Sequence, residues 1–333
     1  MKQAAIATAI LSALVSGSSL AASVYSNDGT DLSIGGRAEF RGDFGGDDSG
    51  NEIDGTMKNK SRVRLNLKGS TEISESLKGF AKYEAEQSVT SSGDNEKTDN
   101  FKQRYMFAGL KGDFGAFSVG KQDTAGVQIS NMSDISTYSG DQKAFINAGD
   151  EQANNAFVYQ YATEQLNLQA SFIAAEAKDE NGFGVSGTYF LPMGLGLGLG
   201  YATNDNGEGA GSANQIIGGV SYELDALYLG ATYTMGDLDD KAKTEFNGLE
   251  IAGHYKFTSQ FRLIAAYQKQ EEEDKSSSTT TNLSDFFELT GRYDFNKSIR
   301  GYVSYKLNNL DKEDIGQSYD AKDSIRLGLR YNF

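Results

Sequence analysis

The 333-residue chain has no cysteine, no tryptophan, one histidine and one proline. Without cysteine there are no disulfides and no thiolate metal sites, so a chain exported at this length must be stabilised otherwise. The single histidine, His254, excludes a histidine metal cluster. No serine beside a histidine and an orienting third group can be assembled, so nucleophilic catalysis finds no candidate residues and no cofactor is called for. Gly194, Gly196, Gly198 and Gly200 alternate as in a strand and do not form the phosphate-binding turn of a dinucleotide site. Basic residues are also in deficit: 31 Lys and Arg against 46 Asp and Glu leave a net charge of -15. That acidity excludes nucleic acid as a partner.

Beyond the first residues the chain has no run approaching the roughly 18 apolar residues of a spanning helix. Mean hydropathy is -0.49. A polar average does not exclude a membrane barrel, because alternating strands give only half their residues to lipid. What is abundant fits strands: 39 glycines, 18 tyrosines and 19 phenylalanines, with almost no proline to interrupt a ladder.

The start of the chain has the form of an export signal. Met1 and Lys2 precede a small, apolar, uncharged run, and Ser19-Leu20-Ala21 has the small-x-small pattern of a cleavage site. Residues 1–21 are expected to be removed, leaving 22–333 as one barrel domain. Lys2 is the only charge in that segment, so the mature chain carries -15 less one, or -16.

From Asp31 onward the sequence repeats an alternating stretch followed by a break. In the last stretch Ile325, Leu327, Leu329, Tyr331 and Phe333 share one face, and Ser324, Arg326, Gly328, Arg330 and Asn332 the other. Sixteen such stretches are predicted, the weakest around Phe117 and Val158. Short breaks, such as 111–115 and 225–226, alternate with long ones, such as 42–59, 88–100, 123–154 and 309–323. Short turns on one side and long loops on the other are the pattern of an outer-membrane barrel. The sheet must close, because an unpaired backbone group in hydrocarbon costs several kcal/mol. A soluble barrel would turn the apolar face inward, but here the opposite face carries Arg37, Glu39, Arg62, Arg64, Lys82, Glu84 and Arg104. Such a set lines water, not a dry core. Tyr189, Tyr222, Phe257, Phe261, Tyr293, Phe295, Tyr331 and Phe333 stand near turns on the apolar face, as the girdle rings of a membrane barrel do, although aromatic residues also favour strands generally.

Several segments carry a resemblance. The ending from Ile325 to Phe333 resembles the terminal strand of outer-membrane barrels, in which the C-terminal aromatic residue, here with Tyr331 and Phe333, signals to the barrel assembly machinery. Val24-Tyr25-Ser26-Asn27-Asp28-Gly29-Thr30, Leu67-Lys68-Gly69 and Phe107-Ala108-Gly109-Leu110-Lys111 are similar in order and spacing to the Gram-negative general porins, those of vibrio type most of all. The resemblance implies an all-β, 16-stranded antiparallel transmembrane barrel with a long third loop folded into the lumen. It implies a homotrimer in the outer membrane, among lipopolysaccharide and other lipid, passing small hydrophilic solutes and ions.

Within that frame, Arg37, Arg64 and Arg104 match the family's wall cations, and Lys82 and Glu84 share the lumen face. By parity Arg104 is expected to point inward, alternating with Phe101, Gln103, Tyr105 and Phe107 on the outward side. Three unrelated solvated arginines are the plainer alternative. On the third loop Asp134 matches the family's acidic position, Tyr138 stands where a glutamate is expected, and Asp141 is a shifted substitute. A fourth wall arginine is expected just before strand six, where this chain has Glu151 and Gln152. Fewer wall cations and a mature charge of -16 predict a preference for cations. Acidic groups at Asp47-Asp48, Asp237, Asp239-Asp240, 271–274, Asp311 and Glu313-Asp314 fall in predicted outer loops. There they either bridge lipopolysaccharide through divalent cations or are simply solvated. A solute-specific channel and a surface adhesin or phage receptor are the other functions open to such a barrel.

Overall fold

A computed structural model describes residues 21–89 and 101–333. The predicted signal segment, but for Ala21, and most of the predicted 88–100 loop lie outside the described residues. Sixteen long strands follow in chain order. They are β1 Thr30–Gly45, β2 Ser61–Ser74, β3 Leu77–Val89, β4 Lys102–Gly112, β5 Gly115–Gln122 and β6 Ala153–Ala162. Next come β7 Leu166–Ile173, β8 Gly182–Phe190, β9 Leu195–Asp205, β10 Ser212–Leu224 and β11 Leu227–Asp239. The last are β12 Thr244–Lys256, β13 Phe261–Asp274, β14 Thr279–Asp294, β15 Ile299–Asn308 and β16 Ser324–Asn332. With the short strands Ala22–Asn27 and Lys58–Asn59 they make one sheet of 18 strands.

Each long strand is antiparallel to the next, and β16 pairs with β1 from Ser324↔Gly45 to Asn332↔Arg37. The sheet is therefore a closed 16-stranded barrel with no free long edge, the condition for a strand structure to cross hydrocarbon. The strand Ala22–Asn27 turns back on β1 through Asp28 (φ 48°) and Gly29 (φ 72°), the two left-handed residues of a tight hairpin turn. It pairs with the first residues of β1, Thr30 to Ile34, while β16 pairs with the later ones. The strand Ala22–Asn27 and the C-terminal strand thus lie along one side of β1. Gly36 exchanges backbone hydrogen bonds with Phe333 there, at 2.8 and 3.1 Å.

The two faces divide as period two requires. Outward are Leu199, Leu229, Ile251, Leu289, Val303 and Leu329, all exposed on the single chain. Inward are Thr234, Glu250, Gln268, Ser304 and Arg326, all buried. Near the short turns, Tyr255 and Phe257, Tyr293 and Phe295, and Tyr331 and Phe333 pair ring to ring on the outer face. The Tyr293 hydroxyl reaches the turn residue Gln260 at 3.0 Å, polar tip toward water and ring toward lipid.

The strands run further than the alternation predicts. Glu271–Glu273 pair with Thr280–Asn282 as continued β13 and β14, and β11 and β12 extend to Asp239 and from Thr244. Above the membrane both faces meet water, so the alternation fades while the backbone ladder continues. The turn between β2 and β3 is only residues 75–76, because β2 carries on to Ser74 past an irregularity after Glu72.

The 123–152 segment between β5 and β6 contains helix α1 (Val127–Ser130) and 3-10 turns at Asp141–Lys143 and Asn147–Gly149. A second helix among the described residues, α2 (Lys312–Ile315), lies between β15 and β16 and is capped by Asp311. The inner face of β9, β10 and β12 is apolar where this segment meets it. Ile129 and Met132 cluster with Ile217, and Ile146 and Ala148 with Ala202, Ala213 and Phe246. Phe145 stacks on Phe246 with ring centres 4.2 Å apart. Burial of these groups holds the segment to one side of the sheet's inner face.

Candidate functional site: a charged bore

Between that segment and the opposite wall lies a cavity of about 790 Å³. Its wall side is cationic, built on β1, β2 and β4. Arg37 and Arg64 are direct cross-strand partners, and Arg64 is itself opposite Glu86. Both reach Glu86, Arg37 at 3.9 Å and Arg64 through Nε at 2.8 Å. Glu84 is buried and holds Arg64 at 3.4 Å and Arg104 at 3.0 Å. Directly opposed guanidinium groups repel. The carboxylates between them make the arrangement tolerable and fix where each fork points. Arginine stays charged at any working pH, so the wall's charge is permanent.

The parity expectation fails at β4. The pairing with β3 slips between Glu84↔Tyr105 and Ala85↔Gln103, leaving Arg104 as the extra residue of a bulge. A bulge re-aims the side chains around it. Arg104 and Tyr105 consequently both point inward, and Met106, not Tyr105 or Phe107, is exposed outside. The Tyr105 hydroxyl donates to Asp123 at 2.9 Å, and the Lys82 ammonium sits 3.7 Å from the centre of the Tyr105 ring. Lys82 is also 3.7 Å from Glu84, and neither of the two lines the cavity.

On the loop side Asp134 and Asp141 line the cavity, as do Asp150 and Glu151. Lys143 bridges Asp134 at 3.3 Å and Glu151 at 3.9 Å. Glu151, at the position where a cation is expected, is 3.7 Å from Arg104 and so links wall to loop. Burial raises the Asp134 carboxyl above its ordinary range against the pull of Lys143, and pushes Asp150 up to about 6. Tyr138 does not line the bore. It is buried against the wall, its hydroxyl 3.0 Å from Ser324 and its ring under the guanidinium of Arg326.

The loop tip is tied by its backbone. Glu288 accepts from the amides of Thr137 and Tyr138, each at 3.1 Å, and Glu250 from that of Gly140 at 2.8 Å. Arg326 donates to the carbonyl of Thr137 at 2.8 Å and holds Asp43 with two bonds of 2.7 and 2.8 Å. His254 faces inward beside Tyr228, ring centres 5.6 Å apart.

Five more arginines, Arg41, Arg62, Arg292, Arg300 and Arg330, line the cavity. Parity marks each as inward: Arg292 lies between Gly291 and Tyr293, Arg300 between Ile299 and Gly301. What parity lacks is the register that brings β14, β15 and β16 to the level of β1 and β2.

An apolar outside, a closed ladder and a charged, water-accessible bore define an outer-membrane β-barrel channel protein. The sequence matches the Gram-negative porin family over residues 7–313, and the chain belongs to that family. It is a multi-pass protein of the outer membrane, of a family of channels and not of enzymes. Outer membrane protein U of Vibrio parahaemolyticus is 32% identical over all of both chains, and outer membrane porin protein OmpD of Citrobacter koseri is 30% identical over all of both. In structure the barrel is similar to Salmonella typhi OmpF in its complex with daunomycin, with a TM-score of 0.80, 19% identity and coverage of 94% of this chain and 100% of that one. It is also similar to the trimer form of Vibrio cholerae OmpT, with a TM-score of 0.69, 17% identity and coverage of 92% and 100%.

Proposed function

We propose that the protein is a general diffusion channel, passing small hydrophilic solutes and ions through a water-filled bore that the 123–152 segment narrows. The observation that carries this is the facing of Arg37, Arg64 and Arg104 by Asp134, Asp141 and Glu151 across one cavity. Opposed fixed charges make a transverse field in which water and polar solutes orient, while bulky apolar solutes lose hydration without return. Tyr138 acts here as an anchor of the narrowing segment. The trimer form of OmpT supports assembly as a homotrimer. Removal of residues 1–21 on export belongs to the same reading, and N-terminal sequencing of the mature protein should begin at Ala22.

We further propose a cation preference set at the outer mouth. The wall is cationic, so the preference must come from the carboxylates of the outer hairpin ends and loops, Asp237, Asp239 and Asp240 among them. Exposed charges act over a Debye length, about 8 Å at physiological salt and 3 Å at 1 M. The test is the reversal potential in a potassium chloride gradient across a planar bilayer. It should favour potassium at 0.1 M and move toward zero at 1 M. A reversal potential favouring chloride at low salt would reject the preference, and absence of conductance would reject the channel.

A further inference from the structure

In the half of the bore nearer the short turns, one carboxylate serves three guanidinium groups. Asp294 holds Arg292 at 2.7 Å, Arg262 at 3.4 Å and Arg300 at 3.8 Å. The barrel register brings more cations to the same place. Arg262 is directly opposite Arg292 on one side and Lys256 on the other, and Arg300 is directly opposite Arg330. Arg330 is tied at 2.6 Å to Glu39, which already carries Arg62 at 2.9 Å and Arg41 at 3.7 Å. Like charges directly opposite across a sheet destabilise it. Here that cost recurs in consecutive strand pairs, and the two carboxylates leave most of the positive charge unmatched. The side chains of Arg262, Arg292 and Arg300 remain about a fifth to a quarter exposed, and Arg292, Arg300 and Arg330 line the cavity, so a solute in the bore can reach the group.

We propose that Arg262, Arg292, Arg300 and Arg330, grouped around Asp294, form a binding site for oxyanions of two or more charges, of the phosphate class. Residues directly opposite on adjacent strands have Cβ atoms about 5 Å apart, close enough for planar forks on neighbouring strands to grip different oxygens of one phosphate. Asp294 takes Nε of Arg292 at 3.0 Å and so fixes the fork's orientation. It is also an anion in the site, so it limits affinity and lets the solute leave. Binding strong enough to enter and weak enough to release is what a conducting path requires.

The inference rests on the bore being a water-filled channel, and the experiment separates the two. Potassium tripolyphosphate is added to one side at a time of a planar bilayer holding the open protein in potassium chloride, and potassium conductance is followed. Tripolyphosphate should block in a saturable way, more effectively from the short-turn side, where it need not pass the acidic loops. The double variant Arg292→Gln, Arg300→Gln should raise the half-blocking concentration about tenfold or more, as expected for losing charge-assisted bonds. Asp294→Asn should shift it the other way, several-fold lower, which a merely structural role for Asp294 would not do. Open conductance without block, or block equal in all three proteins, overturns the site while leaving the channel intact. If the double variant does not conduct, Asp294→Asn decides alone: unchanged or weaker block rejects the site. No conductance from the unaltered protein rejects both channel and site.

Discussion

The guanidinium carbon of Arg326 lies 3.8 Å from the centre of the Tyr138 ring. With the Tyr138 hydroxyl on Ser324 and the Arg326 bond to the Thr137 carbonyl, it joins the last strand to the tip of the narrowing loop. Arg326 is only 2% exposed, and its fork is filled by Asp43 of β1 at the seam where the barrel closes. Replacing it by alanine removes the cation from a fully buried Asp43. Breaking a buried pair from one side costs about 3–5 kcal/mol. Arg326→Ala should therefore lower the temperature at which the barrel unfolds in detergent far more than Tyr138→Phe, which loses one hydroxyl bond worth about 1 kcal/mol. Heat-dependent gel migration of the two variants checks this.

Glu288 holds the loop tip through two backbone amides and the Thr137 hydroxyl, all at 3.1 Å. Bonds to an ionised acceptor contribute about 1.5–3 kcal/mol each. In Glu288→Ala the tip should leave the wall and swing into the bore. Single-channel records should then show more frequent closures and a lower mean conductance, with the barrel still folded. An unchanged record would mean that Glu288 does not hold the loop.

Gly36 has no room for a side chain. A Cβ there would lie 2.3 Å from the carbonyl oxygen of Arg64 and 2.7 Å from the Phe333 ring. Gly36→Val should displace the C-terminal ring where β1 receives Phe333. The expected result is a sharp loss of assembled protein in the membrane fraction, with Gly69→Ala, where a Cβ would meet nothing nearer than 3.9 Å, assembling normally.

These effects trace back unevenly to the sequence. Sixteen strands, their faces and the closing strand are legible because lipid on one side and water on the other impose strict alternation. Tyr105 is misread because the rule assumes an unbroken register, and the bulge at Arg104 resets it. Arg326 is visible as inward, yet its role depends on Asp43 and Tyr138, which are far away in the chain. Arg292, Arg300 and Arg330 are likewise inward by parity, but only the pairing of β14, β15 and β16 sets them beside one another. The extended outer hairpins escape detection because nothing apolar marks them.

Burial pushes Asp150 up to about 6, with the hydrogen bond from the Glu151 amide and the charge of Lys143 opposing the rise and the charges of Glu151 and Asp123 adding to it. A raised carboxyl pKa means the neutral form is favoured below that pH and the charged form above it. Lowering the pH through 6 should remove one negative charge from the cavity lining. Cation preference, read from the reversal potential, should fall by a step over that interval, and Asp150→Asn should flatten the step.

The absence of cysteine allows single thiols to be introduced without background. The decisive measurement is the conductance of Arg104→Cys and Leu329→Cys before and after a negatively charged, membrane-impermeant methanethiosulfonate. With Arg104 on the bore and Leu329 toward lipid, the reagent should shift the conductance of the first abruptly and leave the second unchanged. A shift with Leu329→Cys and none with Arg104→Cys would put water on the other face of the sheet and contradict the channel.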